Sequence, residues 1–316
     1  MINVYKQGKR GRESFLPFFL PAGKSGNVEI QHKIAKKGDK LTVVSMRNAI
    51  FMGLRPTSLL LPCDVLVHWL VENDKNGNKI ATWMSTMPQE IEQHERQLAR
   101  AHGDVLVGGL GLGLACALLS KNRRVRSITC VEKNADIIKL VRPYLARGFG
   151  FLRGKLPQPR IVVVQDDLFN FLKGAKRDRQ RFDFAFYDIW CPTGERVLTE
   201  FVLPLRKASI GVVEQYNIEC WNELEMIGQV KMGIASRLMF EFNNDDRRTD
   251  LKVSTASDVR FNDMRKAMRE TWPFWNWLRK KRPSEAAAKI VSESYIAHLQ
   301  DAVAFKRFWA RFDKIS

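Results

Sequence analysis

From residue 103 to about residue 213, short apolar runs alternate with longer stretches in which apolar and polar positions mix at helical spacing. Five runs read as strands: VLVGG, SITCVE, RIVVVQ, FDFAFYD and, with a weaker pattern, SIGVVEQY. The stretches between them, 112–121, 135–145, 168–173 and 195–207, read as helices. Runs that are apolar on both faces suit strands buried in a parallel sheet. Strand and helix in strict alternation predict an α/β fold, a doubly wound, mostly parallel Rossmann-like sheet with helices on both faces.

The flanks follow other patterns. Residues 1–24 are basic and broken by proline and glycine, and are expected to form an arm with little structure of its own. VEIQHKI and LTVVSM alternate in the strand manner around a Gly38–Asp39 turn, which predicts a small antiparallel hairpin. His32 reads there as a surface strand residue rather than a ligand. DKNGN at 74–78 marks a second hairpin-like turn. After Pro88 comes a helix, QEIEQHERQLARAH, whose charged residues are expected to be mostly solvated. Beyond residue 243 the chain is basic, aromatic and helix-rich. The organisation expected is a basic arm with a small β-rich region at 1–82, a Rossmann-like domain at 83–242 and a helical extension at 243–316.

Composition narrows the picture a little. With 316 residues and 45% hydrophobic positions the chain can bury a sizeable core. The net charge of +18 favours polyanionic partners or marks a generally basic protein. Five dispersed cysteines without a C-x-x-C pair suggest neither a disulfide framework nor a zinc site, so no metal is expected and a reducing cytoplasm fits. No apolar run reaches the length of a membrane helix. Assembly as a homo-oligomer is left open.

The chemistry concentrates at strand ends. In GDVLVGGLGLGLACALL the first strand breaks into Gly108, Gly109, Gly111 and Gly113 and then turns helical. Such a turn presents backbone N–H groups and the positive end of a helix dipole to a ligand. The G-x-G-x-G spacing of Gly109, Gly111 and Gly113 differs from the dinucleotide fingerprint, because Leu114 stands where that fingerprint has its last glycine. Glu132 ends the second strand about 20 residues further on, where an acid can take the hydroxyls of a ribose. Asp166 and Asp167 end the third. Asp167 can accept from an adenine amine while Leu168 and Phe169 cover the ring, or it can cap the helix that follows. Asp188 ends the fourth, and Glu214 or Gln215 the fifth.

Together these stretches resemble class I S-adenosylmethionine-dependent methyltransferases, and within them the spermidine-synthase-like branch. EIEQHERQL, VLVGGLGLG, ITCVEKNADIIKLV, VVQDDLFNFL and FDFAFYDIWCPTG carry the resemblance, which covers about 83–213 in the family's own order. A related pattern, Trp83, Met84, Ser85, Thr86, Pro88 and Glu90 with a later Asp188–Trp190 and Cys220–Trp221, is similar to phage and bacterial proteins of unassigned role. The resemblance implies that Gly109, Gly111 and Gly113 hold the methionine part of S-adenosyl-L-methionine, Glu132 its ribose and Asp167 its adenine.

The polyamine synthases carry a Tyr-His-Glu run before the glycine strand, matched here by Gln93, His94 and Glu95, and two aspartates on the fourth-strand loop. Only the first is present, as Asp188; Cys191 stands at the second. Half of the anionic pocket a diamine needs is then missing, so the resemblance implies methyl transfer ahead of aminopropyl transfer. Asp188 is expected to orient or deprotonate the nucleophile. His94 is either an overhanging contact or a plain surface residue, and a nucleophilic Cys191 is disfavoured. The acceptor, a small amine, nucleic acid or protein, is not specified. In the tail, Trp272, Phe274, Trp275 and Trp277 beside Arg279–Arg282 suit nucleic-acid contact, in which case the chain is a basic binding protein that retains the fold, or they pack a helical extension.

Overall fold

A computed structural model describes residues 3–7, 12–45, 55–148, 158–191, 197–223 and 225–226. The chain divides into two compact units, residues 1–193 with 208–225, and 194–207 with 226–316. The extension at 243–316, with its tryptophans and basic run, lies outside the described residues.

Among the described residues the first unit holds three sheets. Strands β1 (Tyr5–Gln7), β2 (Arg12–Ser14), β3 (Gly23–Ser25), β4 (Val28–Ala35), β7 (Val65–Asn73) and β8 (Lys79–Ser85) form one, in the order β1-β2-β7-β4-β3 with β8 also on β7. The Asp74–Asn78 turn joins β7 to β8 as an antiparallel pair, as its sequence predicts. The hairpin expected around Gly38 and Asp39 does not form. β4 pairs with β3 and β7, while β5 (Lys40–Val44) pairs with β6 (Thr57–Leu60) in a separate two-stranded sheet. β4 carries Val28 and Ile30 into the core and finds its match in β7, whereas β5 is largely exposed. The turn is held instead by Leu61, whose carbonyl accepts from Gly38 N and whose N–H donates to Asp39.

The N-terminal segment is also more than an arm. Phe15, Leu16, Phe18 and Leu20 are all at most 2% exposed and join the main hydrophobic core. Four such side chains within six positions remove a sizeable apolar surface from water, which outweighs the local proline and glycine signal. Phe18 reaches Gly113, at the start of the helix behind the glycine turn. Phe18→Ala is therefore expected to cost about 3–5 kcal/mol, read as a lowered midpoint in urea denaturation.

The third sheet is parallel throughout, in the order β11-β10-β9-β12-β13, with β9 (Gly103–Gly108), β10 (Val125–Glu132), β11 (Arg160–Gln165), β12 (Phe184–Tyr187) and β13 (Ile218–Cys220). This is the 3-2-1-4-5 order of the Rossmann-like fold, the class expected from the sequence. Val105–Val107 and all four residues of β12 are fully buried. Helices α1 (Pro88–Gln97), α2 (Leu114–Lys121), α3 (Ala135–Gly148) and α4 (Leu168–Arg177) fall close to their expected places. Right-handed crossovers place α2 and α3 on one face and α4 on the other.

The fifth strand differs from expectation. SIGVVEQY is a turn: Gly211 has φ of 82°, and the N–H groups of Val212 and Val213 both donate to the Ser209 carbonyl. The strand is Ile218–Cys220, so Cys220 and Trp221, not Glu214 or Gln215, stand at that strand end. In place of one helix over 195–207, the described part is a π-type turn, Leu198–Val202, followed by α5 (Leu203–Ala208). Among the described residues no helix is long and apolar enough to cross a membrane, and no cluster suits a metal ion.

One buried group makes stability depend on pH. His68 on β7 is fully buried opposite His32 on β4, with ring centroids 4.7 Å apart, and neither of its nitrogens has a hydrogen-bond partner. His32 is half-buried, its Nε2 2.9 Å from the Leu20 carbonyl. Burial, with the charge of His32 in support, pushes the His68 pKa down from 6.5 to about 3. The unfolded chain takes up a proton that the fold excludes, so stability is unaffected above pH 6.5 and falls as pH drops from 6.5 toward 3. At pH 5 the loss is about 2 kcal/mol. Thermal melts at pH 7 and pH 5 should show it, and His68→Phe should remove this part of the difference.

Candidate functional site at the carboxyl edge of the parallel sheet

The ends of β9, β10 and β12 meet around the glycine turn. Gly109 has φ of 93° and donates its N–H to the Val131 carbonyl, while Asp188 N donates to the Gly108 carbonyl, both at 2.8 Å. The first bond ties the turn to β10 and the second lays the end of β12 across its start. A Cβ on Gly109 would run into the carbonyl oxygen of Asp188. Gly111, with φ of 50°, faces Met84 of β8: an added Cβ would lie 2.6 Å from the Met84 sulfur. That sulfur accepts from Leu112 N at 3.2 Å. Gly113 caps α2, against Leu145, Val141 and Phe18. The space freed by missing side chains is thus filled by the chain itself. The Gly111 N–H has no acceptor among the described residues.

Glu132 is 8% exposed and braces the turn from β10. Its Oε2 accepts from Leu110 N at 2.9 Å and its Oε1 from Asn134 N at 2.8 Å. Each oxygen retains a lone pair for a hydroxyl. Asp167 is the N-cap of α4: Oδ1 accepts from Phe169 N at 3.0 Å, and Oδ2 lies 3.1 Å from Lys133 Nζ. Burial works to raise its pKa, but Lys133 and the Phe169 amide outweigh it and hold the carboxyl low. Leu168 is buried and packs over Gly108.

His94 is not a surface residue. It is fully buried on α1, with Nδ1 2.8 Å from the Glu90 carbonyl oxygen one turn back and Nε2 3.4 Å from Asp188 Oδ2. A ring nitrogen facing a carbonyl must carry the proton, so Nδ1–H donates there and Nε2 faces the carboxylate. At 3.4 Å the latter contact is an ion pair more than a formed hydrogen bond. Burial pushes the imidazole pKa down, yet Asp188 and then Glu90 outweigh it and the net direction is up. Phe186 and Trp221 flank the ring at 5.3 and 6.5 Å.

Glu90 is the residue that sequence reasoning misplaced. It is partly buried. Its Oε2 accepts from both the N–H and the hydroxyl of Ser85, at 2.8 and 2.6 Å. Desolvation lifts its pKa to about 7, with Asp188 adding to the rise and His94 and Ser85 opposing it. The charged face of α1 therefore turns inward at Glu90 and His94. The signal available was the stripe Ile91, His94 and Leu98, at helical spacing and all buried.

Cys191 donates its thiol to the Thr82 carbonyl at 3.0 Å. Burial, then Asp188 and Glu90, push its pKa up, so it stays a neutral thiol. This is the opposite of an activated nucleophile.

The strand order is that of a Rossmann-like domain, with Glu132, Asp167 and Asp188 at or just beyond the strand ends. No family model matches the chain. Over 106 residues, 33% of its length, it is 33% identical to a polyamine aminopropyltransferase of Escherichia fergusonii and covers 35% of that protein. It is 27% identical over 110 residues to polyamine aminopropyltransferase 1 of Hyperthermus butylicus, 36% of that protein. The chain thus spans about a third of the length of the curated relatives it matches. Among solved structures it is similar to spermidine synthase from Thermotoga maritima, with a TM-score of 0.31 and 20% identity over 47% of this chain and 50% of that one. It is also similar to the SAM-dependent methyltransferase from Agrobacterium tumefaciens, with a TM-score of 0.30 and 14% identity over 49% of each. Scores this low add nothing to the strand order read directly from the sheet.

Proposed function

We propose that this chain is a transferase that uses S-adenosyl-L-methionine, with methyl transfer to a nucleophile held beside Asp188. The observation that carries the reading is the seating of Asp188 directly against the glycine turn, with buried His94 behind it. The residues present suit the cofactor: the Gly111 N–H has no acceptor among the described residues, and Glu132 retains acceptor capacity for the ribose hydroxyls. Asp167, already an N-cap and an ion-pair partner, has less to spare for the adenine amine.

A bound sulfonium cofactor supplies an electrophilic carbon and a thioether leaving group. The chain's own task is to place the nucleophile in line and take its proton. The carbon–sulfur electron pair would leave with that thioether, on the methionine part that Gly109, Gly111 and Gly113 would hold. The nucleophile's proton passes to Asp188, whose negative charge the His94 imidazole supports from behind.

A second reading, aminopropyl transfer, is favoured by the matches to polyamine aminopropyltransferases. Glu90 adds to it, since a second carboxyl group stands near Asp188 despite the loss at Cys191. The two readings separate on the by-product. Incubation with S-adenosylmethionine or with its decarboxylated form, followed by mass spectrometry, should yield S-adenosylhomocysteine from the first in the presence of an acceptor. Methylthioadenosine from the second alone would select aminopropyl transfer.

A further inference from the structure

β8 carries a bulge shortly before it meets the glycine turn. Trp83 has no partner on β7: Met84 stands opposite Leu70 and Thr82 opposite Val71. Adjacent residues of β7 face opposite sides of the sheet, so the extra residue brings Met84 onto the face of Leu70, and both side chains join the main core. Trp83 is left part-exposed, its Nε1 donating to Glu72 Oε2 at 2.9 Å. A bulge of this kind re-aims a side chain. The one re-aimed here is Met84, and its sulfur meets the turn twice. It accepts from Leu112 N at 3.2 Å, and it fills the space over Gly111, 2.6 Å from where a Cβ would stand. Met84 and Leu112 are both buried, so water has no access to replace the sulfur.

We propose that Met84 is a positioning residue of the cofactor turn: its thioether takes the Leu112 N–H and so fixes the course of the backbone from Gly109 to Gly113. The inference rests on the transferase reading above and goes beyond it in assigning to the cofactor site a residue of the mixed sheet, outside the parallel one. A thioether is a weak acceptor. A buried amide left with no acceptor nevertheless costs more than the bond contributes when formed. Without the sulfur, the turn must shift to bring the Leu112 N–H to another partner, and the neighbouring Gly111 N–H, which has no acceptor among the described residues, shifts with it. A ligand that fits the original turn then meets it in only a fraction of the molecules, and its apparent affinity falls by that fraction.

Core packing alone is the competing account, because Met84 also fills volume. Met84→Leu separates the two, since leucine keeps nearly all of that volume and lacks the sulfur. The experiment uses the full chain, well below its melting temperature, titrated calorimetrically with S-adenosylmethionine and followed by proton–nitrogen correlation NMR at the Leu112 amide. Met84→Leu is expected to weaken binding by about fivefold or more, and to move the Leu112 amide proton upfield even before cofactor is added. Met84→Ile, which also lacks the sulfur, should do the same. Val28→Ala, in β4 of the same mixed sheet, should lower the melting temperature and leave the affinity unchanged, because lost packing does not alter binding while the chain stays folded. Wild-type affinity in both Met84 variants, an unmoved Leu112 amide, or a like loss of affinity in Val28→Ala would overturn the inference while leaving the cofactor reading standing. A wild type that takes up no S-adenosylmethionine would instead overturn both.

Discussion

Gly109→Ala is expected to remove cofactor binding and to lower stability together. The residue sits at φ of 93°, outside the range a side chain tolerates, and its missing Cβ leaves room for the Asp188 carbonyl oxygen. That neighbour is backbone, fixed by the Asp188 N to Gly108 bond, and cannot swing aside. Left-handed backbone costs about 1–2 kcal/mol for a non-glycine residue and forced overpacking about 1–3 kcal/mol more. For a chain of this size, the melting temperature should drop by roughly 5–15 °C. The loss also pushes the end of β12, and with it Asp188, away from the turn. Gly174→Ala provides the control: it lies within α4 with no atom near the added Cβ, and should be neutral or stabilising by about 0.5–1 kcal/mol. A Gly109→Ala protein that melts and binds S-adenosylmethionine like the wild type would mean that the turn is not held as described.

Asp188→Asn should act on turnover alone. The amide keeps the size of the carboxyl group and its backbone bond to Gly108, so the turn and its amides stay in place. What is lost is the charge that accepts the nucleophile's proton and supports His94. Positioned acid–base groups contribute about 10²–10⁴-fold, and a fall of that order is expected in the rate of transfer, with S-adenosylmethionine affinity within about threefold. His94 should also change. Asp188 is the largest influence opposing its burial, so the imidazole pKa should fall in the variant, which a histidine NMR titration would detect. Equal losses of cofactor affinity and turnover would place Asp188 in cofactor binding instead.

The parallel sheet was legible because the cores of β9 and β12 are apolar on both faces and Ile128–Val131 of β10 adds a further buried run, a pattern with few alternatives. β13 was not. Ile218–Cys220 is three residues long with a polar centre, whereas Val212 and Val213 nearby look strand-like but follow a glycine that turns the chain. The Gly38–Asp39 turn has hairpin chemistry, yet the partner of β4 lies beyond it in β7, and local sequence carries no record of that pairing. Phe15–Leu20 read as an arm because its prolines dominate the local pattern; its burial depends on the helix that begins at Gly113. At the site, the glycines and Glu132 were visible from spacing. Gly111 had a further reason for being glycine, the sulfur of Met84, which only the fold brings near. Glu90 was hidden for a similar cause. A charged residue on a helix reads as solvated, and what buries this one comes from β8 and from the end of β12.

The central claim is that the turn from Gly109 to Gly113 takes an adenosyl sulfonium cofactor. Calorimetric titration of the full chain with S-adenosylmethionine, its decarboxylated form and NADH tests it most directly. Saturable binding of at least one sulfonium compound, with no response to NADH, is the predicted result. Tight binding of NADH with no response to either sulfonium compound would contradict it.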